Sequence, residues 1–144
     1  MKRRYQVVID SNVLVAGLRS RLGTSFRLLE LVGDDRFELN ISATLFFEYE
    51  AVLKEKVVSL GFLTANDVDD FLDYLCARSQ RQKISYLWRP YLNDPHDDFV
   101  LELAVAAECD FIITFNKKDF AGSESFGVKI VSPKEFLKII GENP

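Results

Sequence analysis

Histidine and cysteine are scarce in this chain, and their scarcity closes several routes to chemistry. A single histidine, His96, leaves a Ser-His-acid hydrolase resting on one residue, and no G-x-S-x-G elbow accompanies it. His96 reads instead as a surface loop residue. The two cysteines, Cys76 and Cys109, lack the close spacing of a metal or redox pair and read as buried small hydrophobes that fit a reducing cytoplasm. Neither a G-x-G-x-x-G nor a phosphate-loop signature is present, which removes the usual grounds for a dinucleotide or nucleoside triphosphate site. No apolar stretch reaches the roughly 18 to 20 consecutive residues of a membrane span. The basic start Met1-Lys2-Arg3-Arg4 runs straight into Val7-Val8-Ile9 and Asp10, without the apolar region of an export signal. Internal repeats and low-complexity linkers are absent too. The expectation is a soluble, cytoplasmic chain with no membrane association, folded as one domain over residues 1–144, since 48% apolar residues at this length supply one core.

What is present alternates between strand and helix. Tyr5 to Ile9 reads as a strand, Asp10-Ser11-Asn12 as a turn, and Val13 onward as a helix. After a turn near Gly23, Phe26 to Val32 predicts a second helix, and Phe37 to Ile41 alternates like a strand. Ser42 caps a long helix predicted to run to about Leu60, with Leu45, Phe46, Tyr49, Val52, Leu53 and Val57 on one arc. Thr64 and Asp67 then open another amphipathic helix. Ile84 to Trp88 reads as a strand, and Arg89 to His96, with Pro90 and Pro95, as a loop. A helix from Asp97 or Asp98, a buried strand over Phe111 to Phe115, a strand at Val128 to Val131 and a capped helix from Ser132-Pro133-Lys134-Glu135 complete the chain. Such alternation implies an α/β fold with a mostly parallel sheet covered on both faces, whose ligands gather at the carboxyl ends of the strands.

Acids fall where that edge would be. Asp10 follows the first strand; Asp94, Asp97 and Asp98 surround the start of the helix after the third; Asn116 and Asp119 follow the buried strand. Glu48 borders the apolar arc of the long helix and can point toward the same edge, although Glu50 on the opposite border has a similar claim. Carboxylates brought together in a partly buried cleft repel one another unless a cation sits among them. Oxygen ligands without cysteine or histidine partners favour a hard ion, Mg²⁺ or Mn²⁺, and one or two such ions can align water for attack on a phosphodiester. Each residue also has an ordinary reading. Asp10 can be a turn residue, Asp97 or Asp98 a helix cap, Glu48 a solvated face residue, and Asn116 and Asp119 turn and cap residues. Convergence of several, rather than any one, points to a metal site. The net charge of −4 disfavours a broad basic surface for nucleic acid. Bound cations would offset the local acidity, leaving Arg19, Arg21, Arg27, Lys117 and Lys118 as candidate phosphate contacts against an ordinary reading as solvated surface.

Four pieces in order, Val8-Ile9-Asp10-Ser11-Asn12-Val13-Leu14, Glu48-Tyr49-Glu50-Ala51-Val52-Leu53, Asp94-Pro95-His96-Asp97-Asp98 and Ile113-Thr114-Phe115-Asn116-Lys117-Lys118-Asp119-Phe120, resemble the PIN domain family across nearly the whole chain. The branch most similar comprises VapC-like toxins of toxin–antitoxin systems. The resemblance implies a three-layer α/β/α fold and a Mg²⁺- or Mn²⁺-dependent endoribonuclease with an RNA substrate, an antitoxin partner and a homodimeric state. By position, Asp10 matches the first family acid, Glu48 the second and Asp98 the third, with Asp97 a near alternative. The fourth place holds Asn116, which offers a carbonyl oxygen but no charge, so Asp119 can substitute. Ser11, Asn12 and Thr114 would stand nearby in support. The asparagine and the acidic charge also motivate a rival from another class, a non-catalytic PIN-fold module that binds RNA or a protein partner. A phosphatase using Asp10 as nucleophile is disfavoured because Asn12 stands where its second aspartate belongs.

Overall fold

The structure, a computed structural model, describes residues 4–83 and 95–144. The chain begins with β1 (Tyr5–Ile9), α1 (Ser11–Arg19), α2 (Thr24–Glu30), β2 (Phe37–Ser42) and α3 (Ala43–Leu53), which passes into a π-helical turn at Lys54–Val58. Then come α4 (Ala65–Ala77), β3 (Gln80–Gln82), α5 (Pro95–Ala106) and β4 (Phe111–Ile113). Two 3₁₀ turns, β5 (Lys129–Val131) and α6 (Pro133–Ile139) close it. The strands pair in the order β3-β2-β1-β4-β5, every described pair parallel.

Parallel strands need crossover helices, and those helices bury both faces of the sheet to give three layers, α/β/α. Register puts Tyr5, Phe37 and Phe111 on one face, where the Phe136 ring of α6 meets all three at 5.2 to 6.4 Å. The other face, with Val8, Asn40 and Ile112, is equally buried, and α5 lies across β1, β2 and β4. Asn40 is tolerated there because its amide is used: Nδ2 donates to Gln6 Oε1 and Oδ1 accepts from Gln82 Nε2. Strand order reverses at β1, since β2 and β3 lie to one side and β4 and β5 to the other. In an open parallel sheet such a reversal leaves a crevice at the carboxyl ends of the two diverging strands. Here that means the residues after Ile9 and Ile113.

Most elements stand where their local signals put them. The capping boxes of α4, Thr64 with Asp67, and of α6, Ser132 with Glu135, are both formed. Several expectations need correction. Ser11 and Asn12 already belong to α1, with Asp10 as its N-cap rather than part of a longer turn. The long helix leaves α geometry after Leu53 and ends at Val58, short of Leu60. α5 begins at Pro95, so Pro95 and His96 are helical rather than loop; proline is accommodated because the first helical N–H needs no partner. A strand forms at Gln80–Gln82, whereas the one expected at Ile84 to Trp88 lies outside the described residues, as does the loop from Arg89 to Asp94. β4 ends at Ile113, two residues earlier than expected. No helix among the described residues is long and apolar enough to cross a membrane.

Candidate metal centre at the strand-order reversal

Asp10 is built into the crevice by its neighbours. Its N–H continues the β1–β4 ladder to the carbonyl of Ile113 at 2.9 Å, and the next residue starts α1. As N-cap, the side chain accepts from the Ser11 N–H through Oδ1 at 2.8 Å. Thr114, one residue past β4, donates its hydroxyl to Asp10 Oδ2 at 2.8 Å from a wholly buried position. The same Thr114 oxygen accepts from the Asn116 N–H at 3.0 Å and from Asn12 Nδ2 at 3.4 Å. One hydroxyl thereby ties together the ends of β1 and β4, the first turn of α1 and the segment after β4.

A cavity of about 460 Å³ opens beside Asp10. Asp10, Ser11 and Asn12 form its floor, Glu48 and Lys56 come from α3 and the π turn, Asp97 from α5, and Asn116 and Asp119 from the segment after β4. Of the two glutamates bordering the apolar arc, Glu48 lines the cavity, and Glu50 stands 3.6 Å from Lys54 in an i,i+4 ion pair. Asp97 rather than Asp98 lines it as well; a step of one residue turns a helical side chain by about 100°. Thr114 lies behind the floor and lines an adjoining groove with Lys117 and Lys118. Arg19 and Arg21 lie at the far end of α1, where Arg19 is roughly 13 Å along the axis from Asp10 and stacks over the Phe62 ring at 4.5 Å. Arg27 is bound to Glu142 at 2.8 Å. None of the three arginines lines the cavity.

Lys56 was not singled out from the sequence, and the reason is geometric. Eight residues past Glu48, it would sit about 80° round a regular helix. The π turn winds less per residue and returns Lys56 toward the side of Glu48 and Val52. Buried Val57 holds the turn against the core.

The height of Glu48 over Asp10 is set by the next residue. Tyr49 is wholly buried, and its hydroxyl donates to the carbonyl of Ile9, pinning α3 to the end of β1. Burial first, and then the nearby Asp10 charge, push this phenol well above its ordinary pKa, so it remains a donor at any physiological pH. Tyr49→Phe should cost about 1–3 kcal/mol by leaving a buried carbonyl without this donor. Equilibrium urea unfolding measures it, and a cost below about 0.5 kcal/mol would mean that the bond does not hold the helix.

The donor set can be tested against a hard cation. Among the described residues, no three acidic, histidine or cysteine side chains close on one point; the carboxylates stand along the walls. This arrangement suits a small ion that keeps several waters and takes only one or two carboxylates directly, as Mg²⁺ does. Asn12 Oδ1 is buried without a hydrogen-bond partner among the described residues. A buried orphan acceptor costs about 1–3 kcal/mol, and an ion or its coordinated water would satisfy it. The residues fit the group.

A parallel sheet whose order reverses at an acid-capped first strand, with further acids on α3, α5 and after β4, defines a PIN-type fold. The model of the PIN domain family matches residues 6–118, and the chain belongs to that family, whose members are in general nucleases. Among solved structures it is similar to a chain in the crystal structure of VapBC2 from Rickettsia felis bound to a DNA fragment from their promoter. The two superpose with a TM-score of 0.60 over 87% of this chain and 98% of the other, at 14% sequence identity, a likeness of fold. No curated protein matches the chain significantly in sequence.

Proposed function

We propose that the chain is a metal-dependent endoribonuclease that hydrolyses RNA phosphodiester bonds with Mg²⁺ or Mn²⁺, and that it acts as the toxin of a toxin–antitoxin pair. The observation behind this reading is the arrival of Asp10, Glu48, Asp97, Asn116 and Asp119 from four separate stretches at one cavity. Asp10, Glu48 and Asp97 would hold the ion, one or two of them directly and the rest through its waters, with Asp98 one step behind on α5. When bound, a divalent ion supplies Lewis acidity toward the phosphodiester and toward an attacking water. The chain's own groups do the rest. Thr114 and the Ser11 N–H hold the Asp10 carboxylate in its orientation. Asn116 and Asp119 would orient the water that forms the new bond to phosphorus, as the departing sugar oxygen takes the bonding pair and, by way of solvent, the equivalent of the proton that the water gives up. Asp119, the charged member, takes the place that uncharged Asn116 leaves short.

The toxin reading brings with it a cognate antitoxin, a homodimer and a cytoplasmic setting, and a single domain over residues 1–144. It draws on the family and on a likeness of fold to a toxin–antitoxin complex. Calorimetric or EPR titration with Mn²⁺ tests the metal. Saturable binding is expected at or below millimolar concentration, weakened at least tenfold in Glu48→Gln. A wild-type chain that takes up no ion there would be a non-catalytic module for RNA or a protein partner instead.

A further inference from the structure

The acid cleft does not end at Asn116 and Asp119. Both residues also form the near wall of a second groove of about 560 Å³, to which Phe115, Lys117, Lys118 and Ser132 contribute. We propose that this groove is a base-stacking subsite for the nucleotide next to the scissile phosphate of single-stranded RNA, with Phe115 as the platform and Lys118 as the phosphate contact. The inference rests on the nuclease reading of the neighbouring cleft.

Residues 115–119 are all exposed, yet they hang between two fully buried residues, Thr114 and Phe120. The Asn116 N–H is bound to Thr114 Oγ1 at 3.0 Å, and the Asp119 N–H to the Asn116 carbonyl at 3.0 Å. The segment is thus held at both ends and braced within, and its display of side chains is fixed before any ligand arrives. Phe115 is 49% exposed, although an apolar ring in this position gains nothing from water. Of the large hydrophobic side chains exposed among the described residues, it alone lines this groove. The two lysines are not equivalent. Lys117 Nζ stands 2.6 Å from Glu135 Oε1, which holds that carboxyl below its usual range, whereas no described ion pair engages Lys118.

An exposed ring beside an uncommitted cation, adjoining a site for phosphodiesters, matches the two surfaces that a single strand presents. Its bases have π faces free to stack and its phosphates lie one nucleotide apart. A duplex keeps its bases stacked on each other and cannot use the ring. Stacking tolerates any base, so the subsite selects strandedness rather than sequence.

The test is fluorescence anisotropy with a short mixed-sequence single-stranded RNA and its duplex, in Mg²⁺, using Asp10→Asn protein to prevent cutting. Adding Phe115→Ala should weaken single-strand binding roughly 5- to 100-fold, adding Phe115→Tyr should leave it within about twofold, and duplex binding should not move. Lys118→Ala should lower the salt slope of single-strand binding by about 0.7. Single-strand binding unchanged by Phe115→Ala, or lost equally in Phe115→Ala and Phe115→Tyr, overturns the subsite, as does a parent protein that binds no single strand. Unchanged RNA binding with lost self-association in sedimentation would assign the ring to a protein interface. These outcomes are separable from failure of the nuclease reading, which shows as absence of cutting by the wild type whatever the Phe115 variants bind.

Discussion

Asp10→Asn is expected to lower ion-dependent RNA cutting by at least about 100-fold while leaving the fold intact. Partners that merely orient metal ligands are worth about 10- to 100-fold, and loss of a ligand's own charge should exceed that. The fold should survive because asparagine caps a helix about as well as aspartate does. Its amide oxygen can still accept from the Ser11 N–H, and the Thr114 hydroxyl can accept from the new amide by giving up the long bond from Asn12 Nδ2, whose side chain turns to offer its oxygen to the freed O–H. Stability should change by about 1 kcal/mol or less, and removing one negative charge from the cleft offsets part of that. Steady-state cutting assays and thermal unfolding of the same preparation separate the two quantities. Retained activity would remove Asp10 from the centre of the chemistry, and a collapsed fold would leave its role purely structural.

Thr114→Val should damage both quantities together. The valine removes the donor to Asp10 Oδ2 and the acceptor used by the Asn116 N–H and Asn12 Nδ2, at a wholly buried position. A hydrogen bond to a charged group contributes about 1.5–3 kcal/mol, and the abandoned amide adds to the loss, so destabilisation of about 2–4 kcal/mol is expected. Cutting should fall about 10- to 100-fold, because the carboxylate is no longer held. Thr114→Ser keeps the hydroxyl and should recover most of the activity at a cost of about 1 kcal/mol for the missing methyl group. A valine variant that cuts as fast as wild type would show that Asp10 needs no orientation from β4.

The features legible in the sequence are those whose causes are local. β1 followed by Asp10, the two capping boxes and the buried strand before Thr114 announce themselves within a few residues. The cleft itself was legible as a set of acids after strands, because a parallel sheet must place those ends on one edge. What stayed ambiguous depends on distant parts of the chain. Glu48 and Glu50 border the same apolar arc, and only the anchoring of Tyr49 to Ile9 in β1 turns one of them to the cavity. Asp97 and Asp98 could not be separated without knowing that α5 starts at Pro95. The hold of Thr114 on Asp10 spans 104 positions. Lys56 was invisible for another reason, since a π turn leaves no trace in a helical period. Arg19 at the end of α1, Arg21 beyond it and Arg27 in α2 were grouped with the lysines after β4 by charge alone, although none of the three lines the cavity or the groove.

The most direct measurement is cleavage of a mixed single-stranded RNA by purified wild-type protein, first in EDTA and then after adding back Mg²⁺ or Mn²⁺. Asp10→Asn, purified in parallel, reports any contaminating nuclease. No cutting in EDTA, with cutting restored by either ion and absent from the variant, is the expected result. RNA left intact under all three conditions, or cut equally by wild type and variant, would contradict the assignment of this cleft as a nuclease centre.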